Sequence, residues 1–222
     1  MLLYIFSLIG TSNKIAVDIG AGDGIVGNTT NLILNHGWQG FLFDGNRENV
    51  ETGKHFFSQE RDTKLWPPRF THAWVTAENV NTIIQKAGVS GQVDLLSLDI
   101  DGMDYWIWKA LDCIEPIVVI CEAHNVIGPD KSLTVPYDPN FKIQIPDYCG
   151  ASLAAMAKLG AQKGYRLVGT NRVGLNAFFI RNDIGEYIFP SVPVEDCLNH
   201  PYVKQAMKER WPKVKDLDWV EV

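Results

Sequence analysis

Short apolar runs alternate along the chain with longer stretches whose apolar residues recur at helical spacing. The short runs, bounded by glycine, proline and asparagine, predict β-strands, and the amphipathic stretches predict helices. Seven strands are predicted, at residues 14–19, 40–44, 70–75, 93–99, 117–122, 165–169 and 177–181. Helices are predicted at residues 1–10, 79–87, 104–111 and 151–163, and residues 29–35 continue a helix expected to start just after a glycine-rich loop.

The predicted strands lack strict alternation of apolar and polar positions, so both of their faces should be buried. Strands that alternate with helices are typical of a sheet covered by helices. The last two strands are joined by a turn at residues 171–174, which is too short for a parallel crossover. The sequence therefore predicts an α/β fold. It is a doubly wound, Rossmann-like sheet of about seven strands, mostly parallel with an antiparallel last strand, with helices on both faces.

The length of 222 residues fits one domain with a single core, which we expect to span residues 1–222. Residues 1–13 would form an N-terminal helix or lid, and residues 195–222 a C-terminal extension. Residues 53–68 and 128–150 are expected to be long irregular loops, which are often functional in compact domains. The second loop follows the fifth predicted strand, at the edge where doubly wound sheets bind ligands.

Charge and composition exclude several classes of partner. The net charge is −6 and there is no lysine or arginine run, which argues against nucleic acid. The apolar start of the chain is too short to cross a bilayer and lacks a basic segment, so we expect neither a membrane span nor a signal peptide. The cysteines, at 113, 121, 149 and 197, have no metal-ligand spacing, which favours a reducing, cytoplasmic location.

The glycine-rich loop at residues 18–27 has the sequence Asp-Ile-Gly-Ala-Gly-Asp-Gly-Ile-Val-Gly. Gly22, Gly24 and Gly27 match the dinucleotide fingerprint, with Asp44 about twenty residues further on as the expected ribose ligand. Asp18, Gly20, Gly22 and Gly24 match the pattern of enzymes that use S-adenosylmethionine. Both cofactors contain a ribose diol, so Asp44 fits either register.

Charge favours the second register. In the first, Asp23 would lie beside a pyrophosphate, and like charges repel strongly where little water screens them. S-adenosylmethionine has no phosphate and carries a sulfonium and an ammonium group, so Asp18 would attract it.

The chain resembles class I methyltransferases, and within them an FkbM-like subgroup. The resemblance is carried by residues 17–24 and by Leu-Asp-Ile-Asp-Gly-Met-Asp-Tyr-Trp at 98–106. It extends to Glu-Ala-His-Asn at 122–125, Gly-Ala-Ser-Leu at 150–153, residues 163–169 and residues 176–179. It implies a methyltransferase that uses S-adenosylmethionine on a seven-stranded sheet with an antiparallel last strand.

The resemblance also implies which residues bind the cofactor. Asp18, Gly20 and Gly22 would contact the methionine end, Asp44 would bind the ribose, and Trp74 or Val75 would border the adenine. The full implied set is Asp18, Gly20, Ala21, Gly22, Asp44, Gly45, Trp74, Val75 and Asp99.

A cluster of acids and a histidine follows the fourth and fifth predicted strands. Asp99 and Asp101 share strand parity, as do Glu122 and His124, so each pair could face one side of the sheet. His124 is a candidate base for removing a proton from a methyl acceptor. The resemblance leaves open a divalent metal, since Asp101 and Glu122 could hold a Mg²⁺ that binds an acceptor diol. Asp104 is explained more simply as a helix cap.

The sequence favours a methyltransferase that uses S-adenosylmethionine, acting on a hydroxyl of a small molecule or a carbohydrate. Two alternatives remain open: an NAD(P)-binding oxidoreductase that uses the dinucleotide register, and a non-catalytic cofactor-binding protein. The acceptor would contact residues 128–150, where Tyr137, Phe141 and Tyr148 would either stack on it or anchor the loop. Trp211 and Trp219 would be buried on the parent domain or form a homodimer contact.

Overall fold

The computed structural model describes all 222 residues. Its strands are β1 (Ile15–Ile19), β2 (Gln39–Asp44), β3 (Arg69–His72), β4 (Gly91–Leu98), β5 (Ile114–Glu122), β6 (Leu133–Thr134), β7 (Tyr165–Thr170), β8 (Asn176–Arg181) and β9 (Val220–Glu221). Its helices are α1 (Leu2–Ile9), α2 (Thr30–His36), α3 (Arg47–Gln59), α4 (Val80–Lys86), α5 (Asp104–Ala110), α6 (Leu153–Gln162), α7 (Val194–Cys197), α8 (Pro201–Glu209) and α9 (Trp211–Val214). None of these helices has the length and apolar character that a bilayer span requires.

Seven of the strands form one sheet, in the order β3-β2-β1-β4-β5-β8-β7. β1 pairs in parallel with β2 and with β4, and β2 pairs in parallel with β3. β7 and β8 pair antiparallel, because the chain between them is too short for a crossover. The predicted fold class, a mostly parallel α/β sheet with an antiparallel end, is confirmed.

The chain divides into two compact units. Unit 1 comprises Met1–Asp99 and Ala110–Val119, and unit 2 comprises Ile100–Lys109 and Ile120–Val222. In unit 1, β1 and β4 are buried along most of their length, as continuous apolar runs predict. α1 packs within this unit through Phe6, whose ring centroid lies 4.7 Å from that of Trp38.

The prediction of an irregular loop at residues 53–68 is wrong in its first part, because α3 continues to Gln59. Val50, Gly53 and Phe57 are buried at spacings of three and four residues, so α3 has a narrow apolar face. The helix begins at the Asn46 cap, whose side chain accepts a hydrogen bond from the Glu48 backbone N–H. A glycine in the middle of this face weakens the helical pattern in the sequence.

The helix expected directly after the glycine-rich loop begins later, at Thr30. Gly20, Gly22 and Gly24 have φ angles of 82°, 59° and 69°, a left-handed conformation that a right-handed helix excludes. Turns and bends continue through residues 25–29. The unpaired N–H groups of a helix start are therefore not beside Gly20–Gly24, which removes one argument for a phosphate at the loop.

In unit 2, α6 packs closely on the rings beneath it. A Cβ atom at Gly160 would lie 2.9 Å from Cδ1 of Phe179 and 3.1 Å from Cη2 of Trp108, so a larger residue would displace these rings. The Trp108 ring is buried with its centroid 5.0 Å from that of Phe179. Trp108 is therefore a core residue.

Candidate functional site

Asp18 lies at the carboxyl half of β1 in unit 1 and is only 3% exposed. Its Oδ2 accepts a hydrogen bond of 2.6 Å from the Thr29 hydroxyl, and the Ser97 side chain is a second partner. Asn28 in turn donates to the Ser97 hydroxyl over 3.3 Å. Asp18 thus ties β4 and the chain that follows the glycine-rich loop to the end of β1.

The charge on Asp18 is costly. Burial raises the pKa of its carboxyl to about 6, although the two hydroxyl hydrogen bonds oppose that rise. The carboxylates of Asp99 and Asp44 raise the pKa of Asp18 further. The charges acting on Asp18 are both negative, so this part of unit 1 is suited to a cationic ligand.

Asp44, at the end of β2, holds the glycine-rich loop. Its Oδ2 accepts a 2.8 Å hydrogen bond from the Gly22 N–H, and its Oδ1 accepts from Asn46 N–H at 2.8 Å and Asn49 Nδ2 at 3.2 Å. An ionised carboxylate accepts about four hydrogen bonds, which leaves room for a ribose hydroxyl.

The amides of Gly20 and Ala21 both donate to the carbonyl of Phe43, over 2.9 and 3.1 Å. They are engaged by the sheet, so their part in cofactor binding would be a close approach of backbone rather than N–H donation.

Trp74 and Val75 lie outside β3, which ends at His72 rather than at residue 75 as predicted. The strand ends early because residues 73–76 leave the ladder after Ala73 donates to the Asp44 carbonyl. The Trp74 indole, 50% exposed, then covers Gly45, where a Cβ atom would lie 2.8 Å from its Cε3. The predicted ribose and adenine residues are therefore brought together within unit 1.

Asp99 and Asp101 do not share a strand face, because β4 ends at Leu98 and Asp101 is left-handed, with a φ of 57°. Asp99 continues unit 1, where its N–H donates to the Ile19 carbonyl over 3.0 Å. Asp104 accepts hydrogen bonds from the backbone N–H groups of Ile100 and Gly102, both at 3.1 Å, so it stabilises the turn that carries Asp101.

In unit 2 the carboxylates of Asp101 and Glu122 approach each other within 4.8 Å. Burial raises the pKa of the neighbouring Cys149 thiol to about 12, and the charges of Glu122 and Asp101 contribute to that rise. The predicted acid pair is thus assembled, and it concentrates negative charge.

His124 is buried, and its Nε2 lies 2.8 Å from the backbone carbonyl of Asp147. A carbonyl oxygen can only accept, so Nε2 carries the proton and the lone pair of the neutral ring is on Nδ1. Burial lowers the pKa of His124, and this effect exceeds the opposing attraction of Asp147. A neutral imidazole is the form that a general base requires.

The aromatic residues of the 128–150 stretch differ in role. Tyr148 anchors the chain, since its hydroxyl donates to the Asp218 carbonyl over 2.7 Å and its ring meets that of Trp219. Phe141 lies directly on the Asp101–Gly102 turn, with its Cε1 2.3 Å from where a Gly102 Cβ would be. Phe141 is therefore an aromatic of this stretch that lies beside the turn carrying Asp101.

Sequence reasoning missed four residues that organise these sites: Thr29, Ser97, Asp147 and Arg210. Ser97 faces Asp18 across the β1–β4 pairing, and adjacent strand ends were the one signal that could have found it. Arg210 binds Asp147 across 63 positions of sequence, for which no local pattern exists.

No protein-family model matches the chain, and no curated protein matches it. The crystal structure of the N-terminal domain of EvdMO1 with SAH bound is similar to it, with a TM-score of 0.52 and 12% identity over 80% of this chain and 76% of that one. The same domain in the presence of SAH and D-fucose gives a TM-score of 0.50 at 12% identity, covering 80% of this chain and 78% of that one. Magnesium protoporphyrin IX methyltransferase (ChlM) from Synechocystis PCC 6803, with SAM bound, gives 0.48 at 12%, covering 81% and 74%. The chain shares the fold of the EvdMO1 domain.

Proposed function

We propose that this protein is a methyltransferase that uses S-adenosylmethionine to methylate a hydroxyl group of a small molecule or a carbohydrate. The observation that carries the proposal is the buried Asp18, whose charge is disfavoured by burial and by the neighbouring carboxylates of Asp99 and Asp44. A sulfonium or ammonium group would relieve that cost, because opposite charges attract strongly where water is excluded.

A dinucleotide fits the same residues poorly. Its pyrophosphate would bring negative charge beside the carboxylates of Asp18, Asp23 and Asp44. In addition, α2 begins too late to offer its N–H groups. The SAH bound to the EvdMO1 domain, which has the same fold, supports the sulfur-containing cofactor. We therefore place the NAD(P) oxidoreductase second.

The residues of unit 2 would serve the acceptor. The cofactor would supply an electrophilic methyl group. The Nδ1 atom of neutral His124 would accept the proton from the acceptor hydroxyl, because Nε2–H donates its hydrogen bond to the Asp147 carbonyl. Phe141 would stack on the acceptor beside Asp101 and Glu122, and these carboxylates would accept hydrogen bonds from its other hydroxyls. Stacking with carboxylate acceptors suits a sugar, and the EvdMO1 domain studied with D-fucose makes monosaccharides the first class to assay.

Asp101 and Glu122 are also hard oxygen ligands of the kind that Mg²⁺ prefers. If a metal binds there, it would lower the pKa of an acceptor hydroxyl and replace His124 in that task. Adding Mg²⁺ to chelator-treated protein separates these mechanisms, since only a metal mechanism requires the ion for methyl transfer.

Calorimetry with S-adenosylmethionine, its demethylated product and NAD tests the cofactor. We expect the two sulfur compounds to bind and NAD not to bind, and the opposite pattern would refute the proposal. Asp44→Ala should weaken binding of both sulfur compounds at least tenfold, because a hydrogen bond to a charged group contributes about 1.5–3 kcal/mol. Glu48→Ala, which removes a nearby carboxylate without touching Gly22, is the matched control and should bind normally.

His124→Ala should reduce methyl transfer to a responsive acceptor by about a hundredfold, the lower range of general base catalysis. Its affinity for S-adenosylmethionine should be unchanged, because the cofactor residues belong to unit 1. Methyl transfer with radiolabelled cofactor and calorimetry measure the two quantities. Normal turnover in the variant would exclude His124 as the base.

A further inference from the structure

The C-terminal segment, residues 200–222, is fastened to the 128–150 stretch at several points. β6 pairs antiparallel with β9. The Val222 N–H donates to the Ser132 carbonyl over 3.0 Å, and the Ser132 hydroxyl donates back to the Val222 carbonyl over 2.6 Å. These contacts lie within unit 2, so the segment and the stretch form one structural element.

Asp147 connects the C-terminal segment to the candidate base, His124. It has a φ of 68°, a left-handed conformation that few residues other than glycine, asparagine and aspartate adopt. Both Nε, at 2.9 Å, and Nη2 of Arg210 contact its Oδ1. The Asp147 side chain is 12% exposed and that of Arg210 is 38% exposed, so water only partly screens the pair.

The backbone carbonyl of the same residue, Asp147, accepts the hydrogen bond from His124 Nε2. Arg210 therefore binds the side chain of Asp147, and the backbone carbonyl of Asp147 binds the His124 imidazole. Neither contact is local in sequence, since they join residues 23 and 63 positions apart.

We infer that Arg210 is a positioning residue, which holds Asp147 so that its carbonyl fixes the His124 ring with the proton on Nε2 and the lone pair on Nδ1. The inference rests on the proposed function only in assigning a use to that lone pair. Loss of the Arg210–Asp147 pair should release the carbonyl and leave the imidazole free to reorient.

The test uses the full chain, without cofactor, and follows the imidazole Nε2 proton of His124 by ¹⁵N-resolved NMR at a pH where the ring is neutral. Arg210→Gln should increase exchange of this proton with water at least tenfold and give a mixture of ring tautomers. Arg210→Lys, which keeps the charge but loses the second contact, should restore part of the protection. Lys208→Gln removes an exposed basic residue two positions away, in the last turn of α8, and should leave the proton unaffected.

The backbone amide of His124 provides the internal control, because it donates to the Ala151 carbonyl over 2.7 Å. If Arg210 only stabilises the unit, exchange at this amide should accelerate together with the ring proton, and the inference would be overturned. Selective acceleration of the ring proton supports positioning.

Asp147→Gly separates the ion pair from the backbone conformation, because glycine adopts a positive φ freely and keeps the carbonyl. We expect faster exchange of the ring proton, as in Arg210→Gln, and no further increase in the double variant, since both act through one pair. Normal protection in Asp147→Gly would contradict the inference. Since no cofactor is present, a failure of cofactor binding would count against the proposed function alone.

Discussion

Replacing Asp18 by asparagine should make the folded protein more stable at pH 8 by about 2 kcal/mol, while weakening its binding of S-adenosylmethionine. The folded-state pKa of about 6 lies above the ordinary value of 3.8. Such a gap corresponds to about 3 kcal/mol of lost stability when the group is ionised in both states. We subtract about 1 kcal/mol for the poorer hydrogen bonding of the amide.

The pH dependence of this effect has a definite sign. The unfolded chain releases the Asp18 proton near pH 4 and the folded chain near pH 6. The free energy of unfolding of the wild-type protein therefore falls by about 3 kcal/mol as pH rises between the two values. The advantage of Asp18→Asn should therefore shrink towards pH 4 and be constant above about pH 7, as denaturant unfolding would measure. Asp23→Asn changes the same charge in the same loop and is the matched control. An unchanged or lower stability of Asp18→Asn at pH 8 would contradict the burial cost.

Calorimetry on Asp18→Asn tests whether the buried charge of Asp18 contributes to cofactor binding. Binding of S-adenosylmethionine should weaken at least tenfold in Asp18→Asn, and binding of the uncharged-sulfur product should weaken less, because it lacks the sulfonium. Equal loss for both ligands would mean that Asp18 acts by shaping the loop rather than by its charge. If Asp18→Asn is more stable but binds S-adenosylmethionine more weakly, the buried charge serves ligand binding at a cost in stability.

Replacing Gly53 by alanine should destabilise the protein by about 3 kcal/mol and abolish measurable cofactor binding. The new Cβ atom would lie 2.4 Å from the backbone carbonyl oxygen of Asp23 and 2.4 Å from Cζ of Phe70. The Phe70 ring can move, but the Asp23 carbonyl can move only with the glycine-rich loop. Overpacking of this kind typically costs about 1–3 kcal/mol, and the rigid backbone puts Gly53 at the upper end.

Gly160→Ala is the matched control, since it also places a methyl group into a crowded helix face. There the obstructing atoms are rings of Phe179 and Trp108 in unit 2. Gly160→Ala should lower the denaturation midpoint but leave the affinity of the folded protein for S-adenosylmethionine unchanged. If Gly53→Ala kept normal affinity, the packing of α3 on the glycine-rich loop would not determine the loop conformation.

The sequence by itself determined the sheet and the unit 1 part of the candidate site. Apolar runs bury themselves wherever the sheet forms, and a short link between strands permits only antiparallel pairing, so both features are local. Asp18 and Asp44 were predictable for a similar reason, because parallel strands bring their carboxyl ends to one edge. The glycines at 20, 22 and 24 indicated a left-handed backbone conformation, which glycine adopts easily.

Only the tertiary structure decided how these residues are used. The apolar face of α3 is interrupted by Gly53, and that glycine is explained only by the Asp23 carbonyl against it. The geometry at Asp101 follows a left-handed turn held by Asp104, which strand parity cannot describe. Arg210 reaches His124 through Asp147 from a distant part of the chain. Periodicity and spacing report on neighbours within a few residues, whereas contacts between distant segments depend on how the whole chain packs.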